Sequence, residues 1–138
     1  MPAISSLTFR KFKSRRTLIG VSEPEDLPYD VFAKACPSRR VFEHVTGKWG
    51  ALVLGRLTRE PQRFGELRGQ VDGISDRLLT QTLRTLTDDG LVSRTVPSDA
   101  PGHPVYRLTD AGADVAVSVR TLISSVENAM TRVSYPAP

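Results

Sequence analysis

The sequence predicts a mainly α domain with a small β-hairpin, and three observations carry that prediction. Residues 63–107 hold a short apolar-periodic segment, a turn at Val71-Asp72-Gly73-Ile74, and a longer periodic segment opened by Ser75. Two β-rich runs, Val92 to Val96 and Val105 to Leu108, follow Asp88-Asp89-Gly90 at once. Beyond Thr109, apolar residues recur at three- and four-residue steps over about five turns. Helix, turn, helix and hairpin in that order make a winged helix-turn-helix, and the long stripe of the last helix points to a dimer.

Residues 1–35 show no sustained period and contain Pro2, Pro24 and Pro28. They are expected to form a largely disordered arm, with a short helix near Asp30–Ala35. Val21 could serve as an alternative initiator, which would remove residues 1–20 from the native protein. The DNA-binding and dimerisation domain is expected over residues 36–130, and 131–138 form a tail.

Pro37-Ser38 suits a helix entry, because proline at the first helical position lacks only an amide that would be unpaired there. A helix is expected from about Arg39 to Val45, ended by Gly47. Lys48–Leu57 forms the next, with Trp49, Leu52, Val53 and Leu57 toward the core. Pro61 ends that segment, and Gln62-Arg63-Phe64 could add a strand to the wing. Phe64–Gln70 is the first helix of the motif, with Phe64, Leu67 and Val71 inward. Ser75–Thr87 is the second, buried along Leu78, Leu79, Leu83 and Leu86. Three prolines in the 97–104 loop restrict the wing tip. Thr109 caps the last helix, and its stripe of Val115, Val119, Leu122, Ile123, Val126 and Met130 outruns what the other elements can bury. A second copy of the same helix is the simplest cover.

The 138 residues carry a net charge of +4. Residues 1–20 hold five basic groups and no acid, and residues 21–35 hold four acids against Lys34. The rest of the chain has 13 basic and 11 acidic groups, so attraction for a polyanion must come from a few placed residues. No apolar run reaches the roughly 18 residues that span a bilayer, and no secretory pattern follows the basic segment 9–16. A cytoplasmic protein is expected. One cysteine excludes an internal disulfide framework and a cysteine-rich zinc site, and His44 and His103 are too few for a metal cluster. Neither a metal nor a cofactor is expected.

The outer face of the second motif helix carries Ser75, Arg77, Thr80, Gln81 and Arg84. Arginine bonds bidentately to guanine and glutamine to adenine, and a threonine methyl packs on thymine, so this face suits major-groove readout. An ordinary solvated helix would also be polar; the wing and the dimer helix favour DNA. Lys48, Arg63, Arg94, His103 and Arg107 are candidates for phosphate or minor-groove contacts. Trp49 reads as a core anchor and His44 as a helix-surface residue. A free cysteine is usually a small buried hydrophobe, but Cys36 precedes a helix N-terminus with Arg39 and Arg40 near in sequence, which favours thiolate.

The chain resembles the HxlR family of bacterial winged-helix regulators. The residues that carry the likeness are Cys36-Pro37, Gly47-Lys48-Trp49, Arg63-Phe64-Gly65-Glu66-Leu67, Gly73-Ile74-Ser75, Leu78-Leu79-Thr80-Gln81, Leu83, Leu86, Asp89-Gly90-Leu91-Val92, Arg94, Val105-Tyr106 and Leu108-Thr109-Asp110-Ala111-Gly112. The resemblance covers about residues 36–125. It implies a homodimeric transcription factor, often a repressor, on a pseudo-palindromic operator. The helices about Arg39–Val45 and Thr109–Met130 would build the dimer, and the helix from Ser75 would read DNA. It also implies that Cys36 could sense quinones, aldehydes, hypochlorite or other electrophiles. No second cysteine exists for an intrachain lock, so Cys36 could only pair with its symmetry mate, take up a small thiol, or be alkylated. The 35-residue leader is longer than the family pattern. A winged-helix module that binds protein instead of DNA is the alternative, and a thiol-dependent enzyme lacks a base and orienter in the sequence.

Overall fold

The computed structural model describes residues 28–138; of the arm expected over residues 1–35, residues 1–27 with the basic segment lie outside them. The chain divides into two units, one ending at Arg39 and one running from Arg40 to Pro138. In the first, residues 31–36 form turns where a helix over Asp30–Ala35 is expected. Asp30 explains the difference: its Oδ1 accepts from the Phe32 amide at 2.9 Å and its carbonyl from the Ala33 amide at 3.1 Å. Such local bonding offers the backbone an alternative to a helix. The helix α1, Pro37–Thr46, then starts on its proline.

The second unit contains most of α1 and every other element: α2 (Gly50–Leu57), β1 (Gln62–Arg63), α3 (Phe64–Gln70), α4 (Asp76–Asp88), β2 (Val92–Thr95), β3 (Val105–Leu108) and α5 (Asp110–Arg132). Both motif helices lie where the periodicity puts them, and Gln62-Arg63 does extend the wing. The three strands are antiparallel in the order β1-β3-β2, with Gln62 opposite Tyr106 and Arg94 opposite Tyr106 on the other side. This is the expected winged helix-turn-helix.

The core is built around Val53, Leu54, Leu67, Leu79, Leu83, Leu86 and Val92, all fully buried. Each such aliphatic chain contributes about 1.5–3 kcal/mol over exposure. Two expected core residues differ. Leu52 is 42% exposed, because α2 buries the face Gly50, Val53, Leu54 and Leu57, spaced at one and two turns. Leu78 is 37% exposed for the same reason: α4 buries Leu79, Leu83 and Leu86, and Leu78 lies about 100° away. Trp49 stands just before α2 as its N-cap and packs half-buried against the core. On α5, Val119 is buried and Val115 and Ile123 pack on the core, but Leu122 (55%), Val126 (53%) and Met130 (37%) are exposed.

The start of α5 is locked to the turn after α4. A Cβ on Gly112 would fall 1.8 Å from the Leu91 carbonyl oxygen, so no larger residue fits without moving backbone. Gly112→Ala is therefore expected to lose about 3 kcal/mol of stability in urea unfolding, an overpacking cost against main chain. Gly65→Ala, which would meet nothing within 4 Å in a helix, is expected to be neutral or stabilising. Equal effects from the two would refute the close-contact account.

Candidate nucleic-acid interface

The exposed face of α4 is only as useful as the helix is fixed, and its two ends are bonded differently. At the N-terminus the Ser75 hydroxyl accepts from the Leu78 amide at 3.1 Å, the N-cap bond the sequence suggests. Arg68 of α3 pairs with Asp76 in the first turn. Both of those side chains are more than half exposed, so the pair contributes about 0–1 kcal/mol, and the cap, at about 1 kcal/mol, matters at least as much. At the C-terminus Gly90 takes φ +78°, open to glycine without strain. The Leu91 amide donates to the Leu86 carbonyl and the Gly90 amide to Thr87, both at 3.0 Å. That bond pair is a Schellman motif, and its apolar contact, Leu91 with Leu86, lies in the core. The Thr109 hydroxyl donates to the Gly90 carbonyl at 2.6 Å, tying this end to the start of α5.

On the helix held this way, Arg77, Thr80, Gln81 and Arg84 line one shallow cleft with Thr85 and Asp88. Thr80 donates its hydroxyl to the Asp76 carbonyl at 2.8 Å, which leaves its methyl as the part offered outward. Thr80, Arg84 and Asp88 also line the adjoining groove toward the wing, with Leu83, Thr87, Arg94 and Tyr106. Four of the five expected base-reading residues thus share one surface; the fifth, Ser75, is committed as the cap.

The backbone-contact candidates are spread more widely. Arg94 sits in the groove beside α4. Arg107 is opposite Ser93 and so lies on the other face of the ribbon from Arg94, since successive strand residues alternate. His103 is exposed in the wing tip, where its amide donates to the Ala100 carbonyl, and Arg63 is exposed on β1. Lys48 holds its ammonium 4.8 Å from the Trp49 ring centroid, a cation–π contact, and lines neither cleft.

Sequence reasoning passes over Thr87, Asp88 and Tyr106, which complete the groove. Asp88 was legible, since it stands one helical turn beyond Arg84 on the same face. A carboxylate there can accept from a cytosine amino group and repels phosphate, so it opposes indiscriminate binding.

Cys36 is partly exposed, and its Sγ accepts the Ser38 hydroxyl at 3.2 Å and the Asp30 amide at 3.3 Å. These donors, the Ser38 side chain first, then the Asp30 and Ser38 amides, lower the thiol below its ordinary pKa by stabilising thiolate. Among the described residues no three His, Cys, Asp or Glu side chains converge on a metal position. No helix among them is long and apolar enough to cross a membrane.

The family model for HxlR-like helix-turn-helix proteins matches residues 44–134. The chain belongs to this family. It is 39% identical over 98 residues to the uncharacterized HTH-type transcriptional regulator YtfH of Escherichia coli K12, a match covering 71% of this chain and 78% of that one. The solved structure of the regulator ytfH from Salmonella typhimurium superposes with a TM-score of 0.70 at 37% identity, over 76% of this chain and 94% of that one. The redox regulator HypR in its oxidized form gives a TM-score of 0.61 at 30% identity, over 67% and 96%. This HxlR protein is therefore a DNA-binding transcriptional regulator, in a family of regulators and not of enzymes.

Removing the strongest donor to the thiolate should raise the Cys36 pKa. Ser38→Ala is expected to alkylate more slowly than wild type at pH values below the thiol pKa and at the same rate well above it. Overlapping pH–rate curves for monobromobimane labelling would show that Ser38 does not tune the thiol.

Proposed function

We propose that this HxlR protein is a homodimeric repressor of a pseudo-palindromic operator, switched by chemistry at Cys36. The observation that carries the reading is the shared cleft of Arg77, Thr80, Gln81 and Arg84 on a helix bonded at both ends. These four read base edges in the major groove, and Ser75 holds the helix start. Arg94 beside the groove, with Arg107, His103, Arg63 and Lys48, serves the phosphates or the minor groove. Residues 36–130 form the DNA-binding and dimerisation domain, between an N-terminal arm and the tail 131–138.

The exposed Leu122, Val126 and Met130 support the dimer, because they extend the buried stripe of α5 and lie open among the described residues. In the dimer the two α4 helices stand about 34 Å apart, one duplex turn. Cys36 supports the switch through its lowered thiol pKa and through the relative HypR, described as a redox regulator. With a quinone the thiolate adds to the ring and forms a thioether. With a small disulfide it exchanges, forming a mixed disulfide and releasing one thiol. The product lowers operator affinity by shifting the population of dimer states.

Fluorescence anisotropy against the gene's own upstream region tests the reading. Arg84→Ala is expected to cost ~1–3 kcal/mol of specific binding, and Arg94→Ala to reduce the salt slope by about one unit. A protein that binds no duplex at low salt would instead be a protein-interaction module. Val126→Glu is expected to leave a monomer in analytical ultracentrifugation; an unchanged mass would remove α5 from the interface. Diamide and benzoquinone are each expected to release operator from wild type but not from Cys36→Ser, and equal responses would exclude Cys36 as the switch.

A further inference from the structure

His44, read from the sequence as a helix-surface residue, is partly exposed and has a partner that the sequence does not announce. Its Nδ1 lies 2.7 Å from Oδ2 of Asp89, with the His44 side chain 31% exposed and that of Asp89 only 6%. Asp89 is the C-cap of α4, its amide already given to Thr85 and Thr87. A carboxylate at that position is unfavourable twice: it is out of water, and it faces the negative end of the helix dipole. The imidazole is the one partner its side chain has among the described residues. His44 in turn stands in the last turn of α1, so the contact joins the C-terminal ends of two helices. Its backbone is fixed as well. A Cβ on Gly50 would fall 2.0 Å from the His44 carbonyl oxygen, so α2 abuts α1 at this very residue.

We infer that His44 is a positioning residue for DNA reading: through Asp89 it fixes the C-terminal end of α4 against α1, and so sets the angle at which Arg77, Gln81 and Arg84 meet the groove. The inference rests on the DNA-reading surface proposed above and adds a determinant that touches no DNA. Ser75 holds one end of the helix; at the other, Gly90 terminates it and Thr109 ties the turn that follows to α5. The His44–Asp89 contact is a side-chain tie from the C-cap itself to a different helix, α1.

The test separates positioning from mere stability by reading the ratio of operator to random-duplex affinity in anisotropy, with every protein shown folded by circular dichroism at the assay temperature. His44→Leu and Asp89→Ala are each expected to reduce the ratio at least tenfold while random-duplex affinity stays within twofold of wild type. His44→Asn, which keeps an N–H donor near the Nδ1 position, is expected to retain the ratio within threefold. Leu57→Val, a core truncation away from the pair, is expected to lower the melting temperature without moving the ratio. The assignment is overturned if His44→Leu and Asp89→Ala keep the wild-type ratio, or if Leu57→Val loses as much of it. A wild-type protein with no preference for operator would overturn the DNA reading itself, and this inference with it.

Discussion

The helix proposed to read DNA has to keep its outer face still, yet α4 buries only Leu79, Leu83 and Leu86 among 13 residues. Those three give several kcal/mol of burial together, ample to keep the helix down. They lie along one line, however, and a single apolar line resists neither rolling nor sliding. Directional contacts at the ends do. The Ser75 cap and the Schellman turn fix where the helix begins and stops, the Thr109 bond ties its end to α5, and His44 grips its final residue from α1. The chemistry of the exposed face depends on these few polar bonds, although the bulk of the stability comes from elsewhere.

The same economy appears where helices meet. α2 is the middle of the second unit, packing on α3, α4, α5 and the wing through a face of Val53, Leu54 and Leu57. Its approach to α1 and the approach of α5 to the post-α4 turn are both main-chain contacts that exclude a side chain. At both contacts backbone lies against backbone, with no soft side chain between to absorb a shift.

Much of this was readable beforehand because the signals were local. Ser75 and Gly90 act on amides and carbonyls within a few residues, as does the Thr109 hydroxyl in accepting from the Gly112 amide, so sequence order reveals them. The motif helices and strands follow from periodicity, and Gln62-Arg63 from the proline before it. What escaped depends on distance in sequence. His44 and Asp89 are 45 positions apart, and nothing near either one announces the other. The errors at Leu52 and Leu78 have a different cause: each is one residue from the true buried line, and a run of adjacent apolar residues leaves the phase of the helix undetermined until its neighbours choose it. The helix expected at Asp30–Ala35 lost to an aspartate bonding its own turn. In the reading surface, Arg77 to Arg84 were found by face and residue type, whereas Tyr106 and Thr87 join the groove only through folding of the wing against α4.

Trp49 is the sole tryptophan, and its ring lies against the turn between the two motif helices, 3.8 Å from where a Cβ on Gly73 would stand. The Lys48 ammonium over the ring places a charge beside the same chromophore. Its emission is therefore expected to respond to the local field at that turn, and not only to global unfolding. The protein carries an intrinsic optical gauge at the turn of its helix-turn-helix.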